Sequence, residues 1–151
     1  MSDENLFAQL RKDHEMQRDV LDMLTDTSGA SEGREKMLKI LSDLLTSHAK
    51  YEEMYLYGPM MEIESTVDLA RHSVAEHKEI DDTLNELKEK KMTSPGWLIT
   101  AEKLQELVLH HLDEEEREVF RPAGKFLDNN DKLELARKYK EAMQEHRNVT
   151  V

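Results

Sequence analysis

Cysteine is missing altogether from the 151 residues. Its absence excludes disulfides, iron–sulfur clusters and thiolate metal sites, so any metal held by this chain is bound through nitrogen and oxygen. Glycine and proline are scarce, five and three, too few for the many turns of a sheet protein. No apolar run approaches the ~20 residues that span a bilayer. The opening Met1-Ser2-Asp3-Glu4-Asn5 lacks the basic-then-apolar order of a secretory signal. A cytoplasmic chain without membrane contact is therefore expected. Basic clusters are lacking too: Lys and Arg are scattered through a chain of formal charge −12. That leaves no face for a phosphate backbone, and nucleic acid is not an expected partner.

What is abundant points one way. Charged residues make up 36% and apolar residues 38%, the mixture of long amphipathic helices, in a chain the size of one ordinary domain. The predicted fold is all-α: an up-down four-helix bundle over about residues 3–122 and a short C-terminal helix over about 131–147, in a single domain 1–151. Phe7, Leu10, His14, Gln17, Leu21 and Leu24 recur at helical spacing and predict a first helix from about Asp3 to Thr27. A turn over 27–33 leads to a second helix from about Ser31 to Tyr57, which Gly58-Pro59 should stop. A third should begin near Ser65, as its cap, and run to about Lys91, and Ser94-Pro95 opens a fourth that Pro122 should close. Asp131 and Glu134 resemble a capping box at the head of the last helix, which is expected to pack across the bundle.

Sliding the chain along itself exposes an internal repeat at an offset of 63 residues. His14 then falls on His77, Leu21 on Leu84, Leu24 on Leu87 and Leu41 on Leu104. The register continues into polar residues, with His48 on His111, Glu52 on Glu115, Glu53 on Glu116 and Pro59 on Pro122. The two halves read as one helical hairpin written twice, and two such hairpins about an approximate two-fold axis make the bundle.

Residues four apart on a helix project together, so His48 with Glu52 and His111 with Glu115 form two pairs. Both pairs, with His14 and His77, fall at positions that the apolar periodicity assigns to the core. Glutamates buried without compensation cost several kcal/mol. A divalent cation supplies the compensation. Each hairpin offers it two histidines and one glutamate, a set suited to non-haem iron first, with manganese and zinc fitting the same ligand types. Glutamates on facing helices can bridge two such ions and leave positions open for water, dioxygen, peroxide or nitric oxide.

Asp13-His14, His48-x-x-x-Glu52-Glu53, Glu76-His77 and His111-x-x-x-Glu115-Glu116 together resemble the hemerythrin, or HHE cation-binding, domain over about residues 5–122. The likeness implies a four-helix bundle with a non-haem di-iron centre of two iron ions, and by position it implies His14, His48, Glu52, His77, His111 and Glu115 as the ligands. One extra residue, Gly58 or Arg121, precedes each proline of the pattern. Oxygen-carrying hemerythrins place a fifth histidine four residues before the third-helix ligand, and Ser73 stands there in this chain. His72 is five residues from His77, about 140° away on an ideal helix. The four-histidine, two-glutamate set is also similar to that of di-iron proteins implicated in repairing iron centres under nitrosative stress.

Other polar residues read more plainly. Glu53 and Glu116 are expected to face a neighbouring helix or water. Asp13 and Glu76 should be solvated, His110 should sit at the core boundary, and His146 in a solvated tail. The expected function is a metal-binding protein that binds or senses dioxygen, peroxide or nitric oxide. The alternatives are a slow catalase- or peroxidase-like enzyme, an iron-centre repair or delivery protein, and a metal-dependent regulatory interaction module.

Overall fold

The structure, a computed structural model, describes residues 5–28 and 32–150. Four long helices dominate: α1 (Leu6–Thr25), α2 (Glu32–Glu52), α4 (Val67–Glu89) and α5 (Pro95–Glu114). Short helices α3 (Gly58–Met61) and α6 (Phe120–Phe126) extend α2 and α5, and α7 (Asn129–Thr150) ends the chain. Helix α1 packs on α2, α2 on α4, α4 on α5 and α5 on α1, which is the up-down bundle the repeat implies. Helix α7 lies along α1 and α2 rather than across the bundle. Among the described residues no helix is long and apolar enough to cross a membrane.

The helix ends depart from sequence expectation in instructive ways. Asn5 caps α1 by accepting from the Phe7 amide, whereas the expected start at Asp3 and the expected start of α2 at Ser31 lie outside the described residues. Helix α4 begins after Thr66, not at Ser65, and the Thr66 hydroxyl donates to the Met60 carbonyl of the preceding turn (2.8 Å) instead of capping the helix. Ser94 caps α5 as expected, accepting from Gly96 N. Asp128, rather than Asp131, caps α7: its carboxylate accepts from the Asp131 amide at 2.7 Å.

Neither proline stops its helix. A π-helical turn, Glu53–Tyr57, follows α2, and another, Glu115–Val119, follows α5; each runs on into a short helix that contains the proline. A π turn inserts one residue into an α-helix, and this accommodates the extra residue that precedes each proline. The widened turn sends the Gly58 amide to the Glu53 carbonyl. A side chain at Gly58 would meet that carbonyl at 3.2 Å.

The core is two apolar clusters rather than one. Leu21, Leu24, Leu41, Leu84, Leu104 and Trp97 fill one end, and Leu6, Leu10, Leu56, Met60, Phe120 and Tyr139 fill the other. The layer between them is polar. His14, His48, Glu52, His77, His111 and Glu115 are all buried there, with both glutamates at most 1% exposed.

Candidate metal centre

The polar layer is built by all four long helices and keeps the two-fold character of the sequence. Glu52 turns Oε2 to His48 of its own helix (3.4 Å) and Oε1 to His77 of the other hairpin (3.1 Å). Glu115 does the same, with Oε2 3.3 Å from His111 and Oε1 3.0 Å from His14. The glutamates are thus shared between hairpins instead of one belonging to each. Two overlapping groups result, His14, His48, Glu52 and Glu115, and Glu52, His77, His111 and Glu115, each with its ligand atoms within 4.8 Å of one another.

Each imidazole is held from behind through Nδ1. Glu116 meets Nδ1 of His14 at 2.7 Å, Glu53 that of His77 at 3.1 Å, and Glu76 that of His111 at 2.8 Å. An acceptor at Nδ1 keeps the proton there and leaves Nε2 aimed inward, as metal-binding histidines require. Asp13, one methylene shorter than its repeat counterpart Glu76, stops 3.5 Å from Nδ1 of His48. Tyr139 of α7 fills the gap, accepting from His48 Nδ1 at 2.8 Å and donating to Asp13. The four carboxylates expected to face solvent or a neighbouring helix are therefore the brace of the site. The repeat carried a signal for them, since Glu53 falls on Glu116 and Asp13 on Glu76. Nothing in the sequence pointed to Tyr139.

The π turns begin at this layer, one at Glu53 beside buried Glu52 and one at buried Glu115, and within them Glu53 reaches His77 and Glu116 reaches His14. Tyr57, at the end of the first π turn, donates to Glu115 Oε2. Its repeat counterpart Phe120 has no hydroxyl and stacks on His14, ring centroids 5.8 Å apart.

Electrostatically the layer is a set of positions waiting for positive charge. Burial and the nearby Glu52 charge push the Glu115 carboxyl well above the usual range, so it stays neutral. Burial opposes ionisation of Glu52 as well, but the His48 charge and the closeness of the His48, His77 and Glu115 side chains outweigh it and hold Glu52 well below the usual range. For His48, burial is overcome by Glu52 and Asp13, and the pKa stands at about 10. Burial is likewise overcome by Glu52 and Glu53 at His77, which is raised; at His14 and His111 burial prevails and both are lowered.

The donor atoms fit a cation. All four Nε2 atoms, both oxygens of Glu52 and Oε1 of Glu115 are buried without a hydrogen-bond partner among the described residues. Orphaned buried polar atoms are rare in folded proteins, and these converge. Their closest nitrogen–oxygen separations, 3.0–3.4 Å, match the ~3 Å between neighbouring ligands around a cation with ~2.1 Å bonds. A cleft of about 340 Å³ leads to the layer between α2 and α4. His48, His77 and His111 line it together with Leu45, Val74 and Gln17. The Gln17 side-chain nitrogen is buried there without a partner among the described residues.

Two expectations fail at the surface. His146 is not solvated but pairs with Asp43 at 2.8 Å and packs against Tyr51. His110 is not at the core boundary; its side chain is 70% exposed. His72 points away from the buried layer, toward Glu114 (3.1 Å), and Ser73 is buried.

The sequence profile of the hemerythrin HHE cation binding domain matches residues 5–123. Among solved structures, the crystal structure of a hemerythrin HHE cation binding domain-containing protein from Mycobacterium kansasii is similar to this chain. It superposes with a TM-score of 0.85 at 22% identity, over 96% of this chain and 88% of that one. No curated protein matches.

Proposed function

The chain belongs to the hemerythrin HHE cation binding domain family, and from that premise we propose that it holds two iron ions and uses them to bind or sense dioxygen, nitric oxide or peroxide. The residues that would hold them are His14, His48, Glu52, His77, His111 and Glu115. The convergence of unpartnered buried nitrogen and oxygen atoms carries the reading. An iron pair supplies redox capacity and open positions for a small ligand.

The chain's own residues supply the rest. Glu53, Glu76, Glu116 and the Tyr139–Asp13 pair orient the imidazoles. The apolar clusters on either side keep bulk water from the layer. Leu45 and Val74 line an approach suited to a diatomic or peroxide molecule, and Gln17 offers it a hydrogen-bond donor.

Anaerobic reconstitution, desalting and iron analysis test the metal; two irons per chain are expected, and none retained would end the reading. Exposure of the loaded protein to each small molecule then separates the functions. A reversible optical change means binding or sensing, peroxide consumption faster than free iron means turnover, and transfer of iron to an apo-protein means delivery or repair.

A second reading, a metal-dependent interaction module, is favoured by one observation: α7 is joined to the layer through Tyr139 and His48. Amide exchange along α7 that is unchanged by iron loading would exclude it.

A further inference from the structure

Away from α7, which lies along α1 and α2, helices α4 and α5 each carry a histidine–glutamate pair at four-residue spacing outside the buried layer, His72 with Glu76 and His110 with Glu114. The two pairs converge. His72 Nε2 lies 3.4 Å from Glu76 Oε2 and 3.1 Å from Glu114 Oε1, and His110 Nε2 lies 3.1 Å from Glu114 Oε2 and 4.0 Å from Glu76 Oε2. We infer that His72, Glu76, His110 and Glu114 form a second, surface site for a divalent transition-metal cation, separate from the buried layer.

Three observations carry this. The first is the donor set: His72, Glu76 and Glu114 offer ligand atoms within 4.8 Å of one another, His110 approaches the same Glu114 at 3.1 Å, and imidazoles and carboxylates are the nitrogen and oxygen donors that zinc and its neighbours take. Ligands around such an ion with ~2.0–2.1 Å bonds stand roughly 3.3 Å apart, close to three of the four separations between these side chains. The second is preorganisation. The carboxylates are set down between the helices, with side chains 17% and 23% exposed, while the imidazoles at 56% and 70% stand over them. Glu76 is further fixed because its other oxygen, Oε1, is bonded to His111 Nδ1 at 2.8 Å. One carboxylate therefore faces the surface site with Oε2 and the buried layer with Oε1.

The third is that the arrangement is not a by-product of the repeat. The equivalent positions in the first hairpin are Gln9, Asp13, Ser47 and Tyr51, which lack the imidazoles. On that half α7 supplies contacts instead, Tyr139 to Asp13 and His146 to Tyr51. The second hairpin keeps two histidine–glutamate pairs at the surface beside the one that points inward.

The site does not depend on what the buried layer holds, and its test uses the difference between two proteins. Iron-loaded wild type and the double variant His72→Ala/His110→Ala are titrated with zinc by calorimetry, then passed through a desalting column for zinc and iron analysis. Both substitutions are at exposed side chains, so Glu76 and its bond to His111 are left in place. Wild type should take one zinc per chain more than the variant, or bind it at least tenfold more tightly, with equal iron in both. Equal zinc uptake by the two proteins would overturn the site, as would zinc uptake by wild type matched by loss of iron. Should neither protein retain iron, the single-zinc difference still decides.

Discussion

The Tyr139 hydroxyl sits 2.8 Å from Nδ1 of His48 and at the same time donates to Asp13. It makes good the methylene by which Asp13 falls short of Glu76, whose carboxylate reaches His111 Nδ1 directly. One of the four imidazoles is thus held by a helix beyond the residues that match the family profile. Removing the hydroxyl in Tyr139→Phe leaves His48 with an acceptor at 3.5 Å. Loss of such an outer partner typically weakens metal affinity by about 10–100-fold. Iron should be lost faster to a chelator, and adding Asp13→Glu should restore retention by rebuilding the direct bond. A double variant no better than Tyr139→Phe alone would show that Tyr139 acts only by packing.

Glu115 is held neutral in the metal-free chain by burial and the Glu52 charge, so its removal costs little until metal is present. Tyr57 donates to it and would be orphaned by the loss, which Tyr57→Phe prevents. The pair Glu115→Leu/Tyr57→Phe should therefore melt within a few degrees of the metal-free wild type. It should also gain nothing from iron, whereas wild type gains ~2.7 kcal/mol when free metal stands at ~100 times Kd. Thermal melts with and without iron check this, and an equal gain in both proteins would remove Glu115 from the ligand set.

The inward-facing residues were legible because two periodicities coincide: the helical stripe places His14, His48, His77 and His111 in the core, and the 63-residue repeat says twice that they belong there. The sharing of Glu52 and Glu115 between hairpins was not legible, since it depends on how the hairpins face each other. The prolines misled for a physical reason. Pro59 ends a regular α-helix by lacking its amide, but here it lies inside the helix that comes after a π turn. Glu53 and Glu116 do face neighbouring helices, α4 and α1, as the sequence suggests, but which residues they meet there, His77 and His14, depends on the packing of the helices and was not legible. Tyr139 was invisible because a long-range contact from a polar helix leaves no periodic trace.

Gln17 is buried on the α1 stripe with its amide nitrogen unpartnered, and its repeat counterpart is Ile80. An orphaned buried donor costs ~1–3 kcal/mol. Gln17→Ile should raise the stability of the metal-free protein by ~1 kcal/mol, measured by denaturant unfolding. If the amide serves a ligand at the iron, the same change should speed dissociation of nitric oxide or peroxide by roughly 5–10-fold, the worth of one net hydrogen bond. A more stable variant with unchanged ligand kinetics would leave Gln17 without a part in ligand binding.

The metal-free layer holds protons where cations would sit, which makes metal loading a proton-releasing reaction. His48, with its pKa at about 10 because Glu52 and Asp13 outweigh burial, carries a proton near neutral pH, and so does Glu115, raised by burial and by Glu52. Ligation requires the neutral imidazole and the ionised carboxylate, so both protons must leave. Protons and metal therefore compete, and affinity should strengthen as pH rises and weaken as it falls. His14 and His111, lowered chiefly by burial, add to the competition only on the acid side of the ordinary histidine range. Calorimetric titration of ferrous iron in two buffers of different ionisation enthalpy reads the count directly. At least one proton per chain should be released, and identical heats in the two buffers would mean that the cradle is already deprotonated before the metal arrives.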